Sequence, residues 1–212
     1  MSGSTLLAII LACAPQVAPS TVQSIIDVES RGNWLAIGVN RGDRLSRQPR
    51  DLAEAVAWAR WLQSSGKNFD AGLMQINVKN WPRLGLTAEN VFDPCTNVKA
   101  GAAVLTENYM RAARTHGPGQ RALQAALSQY NTGSQTRGFA NGYVGKVTRA
   151  ASKRAGVAVP LLMPAAPHST QPSALAQSGV APATAWSSPK PWGEATANVA
   201  PTTAPSIQEQ TE

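Results

Sequence analysis

The chain has 212 residues, a formal net charge of +7 and a sequence pI near 9.9. Two cysteines and two histidines are too few soft ligands for a tetrahedral zinc site, and no run reaches the ~20 apolar residues that a membrane-spanning helix needs. The basic residues are scattered, with no Lys/Arg run and no aromatic interleaving, so nucleic acid is disfavoured as a partner; an anionic polymer, a lipid surface or plain solvation all fit such a distribution.

Leu6 to Ala12 is a short apolar run with no Lys or Arg before it. It reads as the first helix, residues 4–13, in preference to an export leader, although Ala12-Cys13-Ala14 resembles a small-residue cleavage site and Ile10-Leu11-Ala12-Cys13 loosely a lipoprotein signal. Pro19-Ser20 signals a second helix, with Gln23 placed as in a capping box, and Gly32-Asn33 ends it. Glu29 follows Val22, Ile25 and Ile26 by seven, four and three residues, which sets it on the apolar face. Burial there raises a carboxyl pKa, as a general acid requires; pairing with Arg31 or exposure at a frayed helix end fits the pattern equally well.

Residues 33–48 read as irregular. Pro49 to about Ser65 reads as a helix stopped by Gly66, with Leu52, Val56, Ala59 and Leu62 inward and Trp58 and Trp61 as core or cleft wall. Asp70 to Asn77 has no clear period, and Thr87 opens a helical turn. Asp93-Pro94 starts a helix over about 94–115, with Val98, Ala102, Leu105 and Tyr109 on one face. Gln120 to Gln129 forms another, with Leu123 and Leu127 inward, ending at Tyr130-Asn131-Thr132-Gly133; a last helix covers 143–154. The chain is mainly α.

From residue 160 onward lie nine of the fifteen prolines, and residues 161–212 hold only Lys190, Glu194, Glu209 and Glu212 as charges. The division is therefore a domain over 1–159 and a disordered, Pro/Ala-rich tail over 160–212, and the domain side carries +9. Trp186 and Trp192 are the tail's aromatic spots, exposed or serving as a docking motif. His116 reads as a surface turn residue, and His168 falls in the tail.

Three blocks stand in order: Glu29-Ser30, Gly72-Leu73-Met74-Gln75-Ile76-Asn77 and Tyr130-Asn131-Thr132-Gly133. Together they resemble the lytic transglycosylases with a lysozyme-like fold. Cys13-Ala14-Pro15, Ala36-Ile37-Gly38-Val39-Asn40 and Asp93-Pro94-Cys95-Thr96-Asn97 look more closely like the branch that serves type IV secretion and conjugation machines. The resemblance covers about residues 5–155. It implies a goose-type or soluble lytic transglycosylase catalytic domain that acts on peptidoglycan glycan strands in the periplasm, with secretion components as partners, reached through the tail. No ordinary export signal in the sequence accounts for that location.

The resemblance also implies roles. Glu29 would be the sole catalytic acid/base, and Ser30 would position the glycan or Glu29. Gln75 and Asn77 would line the saccharide groove, Tyr130 would hydrogen-bond near Glu29, and Asn131 would help hold the substrate. Cys13 and Cys95 would form a disulfide. Met74 and Ile76 are expected beneath the groove, and Asp70 is expected to structure its turn instead of serving as a second carboxylate. No metal or cofactor is implied. A hydrolytic muramidase and a non-catalytic peptidoglycan-binding module are the alternatives.

Overall fold

The structure is a computed structural model that describes residues 2–40 and 45–155; the tail, with Trp186, Trp192 and His168, lies outside the described residues. Helix α1 (Gly3–Cys13) is capped by the Ser2 hydroxyl, which accepts from the Thr5 N–H. Leu6 and Ile10, one turn apart, are buried, while Leu7 and Leu11 face outward. The apolar run forms helix α1, and Cys13 at its end is disulfide-bonded to Cys95, with Cα atoms 5.5 Å apart.

Helix α2 (Pro19–Glu29) opens two residues earlier than a Ser20 cap would place it. Ala18 is the cap residue and no side chain caps the helix, so the expected capping box does not form. Ser20 already lies in the first turn, where its carbonyl accepts from the Ser24 hydroxyl, and Pro19 supplies the fixed φ of a first helical position. Val22, Ile25 and Ile26 are fully buried, as their spacing demands.

Helix α3 (Leu52–Ser64) starts three residues beyond Pro49, because Asp51 is the residue whose side chain accepts from the Glu54 N–H at 2.8 Å. Its buried positions are Ala55, Ala59 and Leu62. Leu52 in the open first turn is 44 % exposed, and Trp61 is 59 % exposed, so neither belongs to core or cleft wall. Trp58 is half-buried, with the Arg47 guanidinium 5.0 Å over its ring.

A three-stranded antiparallel sheet, in the order β1 (Ile37–Val39), β2 (Phe69–Ala71), β3 (Ile76–Asn77), occupies segments that read as irregular. Strands of two or three residues are too short for alternation to register in a sequence. Their register places Asp70 between Gly38 and Asn77. A 3-10 turn (Val78–Asn80) leads into α4 (Trp81–Leu84), which the sequence reading lacks.

The remaining helices are α5 (Pro94–His116), α6 (Gln120–Thr132), α7 (Arg137–Ala140) and α8 (Tyr143–Ala155). Asp93 caps α5 through the Thr96 N–H, with Pro94 in the first turn, as read. α5 packs on α6 and α1, and α2 packs on α8. One core joins α2, α5, α6 and α8 to the sheet, with Phe69 and Trp81 edge to face at 5.3 Å at its centre. Among the described residues no helix is long and apolar enough to cross a membrane.

Candidate active site

The segment between β2 and β3 is held from beneath by one side chain. Asn97, fully buried on α5, accepts from the Met74 N–H at 2.8 Å and donates to the carbonyls of Ala71 (3.0 Å) and Val91 (2.8 Å). Its amide lies against Gly72, which has φ +82°; a Cβ there would sit 2.1 Å from Asn97 Nδ2. Met74 is fully buried against Gly101 of α5, where a Cβ would come within 2.4 Å of its sulfur. The backbone can therefore pass this close to α5 only with these two glycines in place. Gln75 adopts φ +49°, a left-handed conformation that costs a non-glycine residue roughly 1–2 kcal/mol. Its Nε2 offsets part of that cost by donating to the carbonyls of Ala36 (3.0 Å) and Gly72 (2.9 Å).

Over this platform stands Glu29, the last residue of α2. Burial pushes its carboxyl up to about 7; the Tyr143 hydroxyl pulls the other way, and the nearby charge of Asp70 adds to the rise. Tyr143, at the first position of α8, donates to Glu29 Oε1 at 2.5 Å. The Tyr130 hydroxyl donates to the Met74 carbonyl at 2.8 Å, close enough to Glu29 to feel its charge. Both phenols are pushed well above their ordinary values, first by burial, so both stay neutral donors. Asp70 is held by Asn40 Nδ2 at 2.9 Å and Asn77 Nδ2 at 2.7 Å; burial raises its pKa, and these two amides oppose the rise.

Glu29, Asp70, Gln75, Asn77, Tyr130 and Asn131 line one cleft of about 1110 Å³. A long cleft faced by carboxamides, a phenol and one carboxyl poised near neutrality suits a polymer rich in hydroxyl and amide groups, with proton transfer at one point.

The family model for the transglycosylase SLT domain matches residues 7–152, which contain every one of these side chains. The chain belongs to the transglycosylase SLT family. Among curated relatives, the type IV secretion system protein virB1 of Brucella abortus biovar 1 (strain 9-941) is 47 % identical over 128 residues, 60 % of this chain and 53 % of that protein. Protein virB1 of Agrobacterium fabrum is 43 % identical over 142 residues, 66 % of this chain and 57 % of that one. The chain thus spans little more than half the length of the curated relatives it matches. No solved structure matches it.

The SLT domain is lysozyme-like and mainly α, as the resemblance implies. Within it, the three sequence blocks converge: Glu29 from the first, Gln75 and Asn77 from the second, Tyr130 and Asn131 from the third. Ser30 is buried and is not among the residues that line the cleft. Its hydroxyl donates to the Ile26 carbonyl (3.3 Å) and accepts from the Gly32 N–H (3.2 Å), so it closes α2 just beyond Glu29. Asn77 braces Asp70 and Asn68, and Asn131 accepts from Asn141 Nδ2 at 2.9 Å. The phenol bonded to Glu29 is that of Tyr143, a residue absent from the sequence reading of the site. Its one local mark is Gly142, with φ +78°, which turns the chain into α8. Asn40 and Asp70 also face the SLT cleft, Asp70 in the turn-bracing arrangement expected of it and alongside Glu29 as well.

Proposed function

We propose that this chain is a peptidoglycan lytic transglycosylase with Glu29 as its single acid/base, which opens the wall locally in the periplasm for a type IV secretion or conjugation apparatus. One observation carries the reading: a carboxyl poised near pH 7 at the end of a buried helix face, opening on a long polar cleft. The virB1 relatives, one of them named as a type IV secretion system protein, support the secretion setting.

Protonated Glu29 gives its proton to the oxygen of the β-1,4 bond between N-acetylmuramic acid and N-acetylglucosamine, and the anomeric C–O bond breaks. The acetamido group of the muramic acid stabilises the resulting cationic sugar. The 6-hydroxyl of the same sugar then attacks the anomeric carbon and returns its proton to Glu29. A 1,6-anhydro ring forms and no water is consumed. Because the nucleophile is tethered to the substrate, little association entropy opposes the second step. Tyr143 fixes the direction of the carboxyl, and Asn131 and Gln75 face the glycan.

Asp70 on the same cleft favours a second reading, hydrolysis, since a carboxylate facing a glycosyl cation prolongs its life until water arrives. Mass analysis of products from purified peptidoglycan tests both. Anhydro-muropeptides are expected; products heavier by one water would establish a muramidase in place of a transglycosylase. Glu29→Gln abolishes turnover with the fold intact, and retained turnover would remove Glu29 from the mechanism.

A further inference from the structure

The cleft extends beyond Glu29 along α5. Gly101 lies beneath Met74, and from there Val104, Asn108 and Arg111, on one face of the helix, line the same cleft. At 1.5 Å per residue, Arg111 is about 15 Å farther along the axis than Gly101. Lys79 from the 3-10 turn and Arg83 from α4 join this end.

The charges here are not mutually satisfied. Arg83 is occupied by Glu107, whose two oxygens accept from Nη1 at 3.0 and 2.9 Å. Lys79 and Arg111 are exposed to the cleft and have no side-chain partner among the described residues. Two carboxamides line this end as well. Asn108 is 6 % exposed, and Gln129 Oε1 is buried with no hydrogen-bond partner among the described residues. A buried carboxamide oxygen seeks a donor.

A glycan backbone has hydroxyl and acetamido groups but no anion for two spare cations. The peptide stem carried on the lactyl group of muramic acid has both peptide amides and carboxylates. We infer that the α4–α5 end of the cleft is a stem-peptide subsite, in which Lys79 and Arg111 take carboxylates and Asn108 and Gln129 take backbone amides. The inference rests on the proposed action on peptidoglycan and adds which strands the enzyme selects.

The test compares the wild type with the double variant Lys79→Gln/Arg111→Gln on soluble, uncrosslinked strands carrying stems, and on the same strands after an amidase has removed them. On stem-bearing strands the double variant raises KM about tenfold, roughly the effect of losing two solvent-facing ion pairs, with kcat within about twofold. On stripped strands it matches the wild type. The peptide released by the amidase inhibits the wild type and not the double variant, a readout that holds even if stripped strands are poor substrates. Lys79→Arg/Arg111→Lys restores the wild-type KM. Equal losses on both strands would assign the cations to the shared glycan, and a loss confined to stripped strands would assign them to the lactyl carboxylate that the amidase frees; either would overturn the stem subsite, as would no loss on either or no inhibition by the peptide. A wild type that cuts neither strand would instead defeat the transglycosylase reading itself.

Discussion

In the proposed mechanism Glu29 must hold a proton to start the reaction, so its pKa of about 7 sets the alkaline limb of the activity profile. Two neighbours move that limb in opposite directions. Asp70 disfavours the Glu29 carboxylate through its charge; Asp70→Asn removes that charge and shifts the limb to lower pH. Tyr143 stabilises the carboxylate by donating to it; Tyr143→Phe shifts the limb to higher pH and, with the carboxyl less firmly aimed, slows turnover by about tenfold. Profiles of kcat/KM against pH for the two variants check this, and shifts in the same direction would refute the assigned electrostatics. The apolar face bearing Glu29 is legible from its spacing to Val22, Ile25 and Ile26, because helical period is a local property. Tyr143 is not legible: its bond to Glu29 spans 114 residues, and nothing within its own helix announces it. Gln75, Asn77, Tyr130 and Asn131 are reached only through resemblance, since no amphipathic period marks a cleft-facing amide or phenol. Ser30 came through the same resemblance, to position the glycan or Glu29; its hydroxyl is engaged with the backbone at the end of α2, next to Glu29.

Among the elements, the long helices follow from caps and period. Asp93-Pro94 opens α5 where it was read, whereas α3 begins at Asp51, whose side chain caps it, and not at Pro49. The sheet escapes such reading because its strands gain their hydrogen bonds only from tertiary pairing. The element that shapes the cleft is the β2–β3 connection, and its anchor is Asn97. A polar residue among Val98, Ala102 and Leu105 gives no hint in sequence that three backbone groups depend on it. Asn97→Ala leaves the Met74 N–H and the carbonyls of Ala71 and Val91 without that partner inside the core. The expected loss is about 3 kcal/mol, because unmet buried groups cost 1–3 kcal/mol each and do not add fully. Urea denaturation measures it, and activity falls in parallel as Gln75 and Asn77 lose their platform. A loss below 1 kcal/mol would mean that the connection is held by Gly72 and Met74 packing alone.

For the whole molecule, the family match ends at residue 152, and the +9 of the first 160 residues is separated from a tail of opposite sign. We assign recruitment to that tail. Deleting 160–212 leaves cleavage of purified peptidoglycan within about twofold while secretion or conjugation falls; loss of cleavage itself would place the segment in the enzyme. The Cys13–Cys95 bond acts on the chain in a different way. It closes a loop across a separation of 82 residues, and that loop contains Glu29, Asp70, Gln75 and Asn77 but neither Tyr130 nor Tyr143. Half of the cleft is thus tethered to the start of α5, while α6 and α8 dock on it without a covalent tie, by packing and by the bonds of Tyr130 to the Met74 carbonyl, Tyr143 to Glu29 and Arg154 to Asp27. Loop-closure entropy for such a span amounts to about 4.5 kcal/mol at most, and native disulfides of small exported domains contribute about 2–5 kcal/mol. Cys13→Ser/Cys95→Ser therefore lowers unfolding stability by 2–4 kcal/mol, and steepens the dependence on urea because the unfolded chain expands further. Reductant produces the same change in the wild type and none in the variant. A wild type indifferent to reductant, with both thiols free by mass, would show that the bond does not form, and with it would go one physical argument for an oxidising compartment.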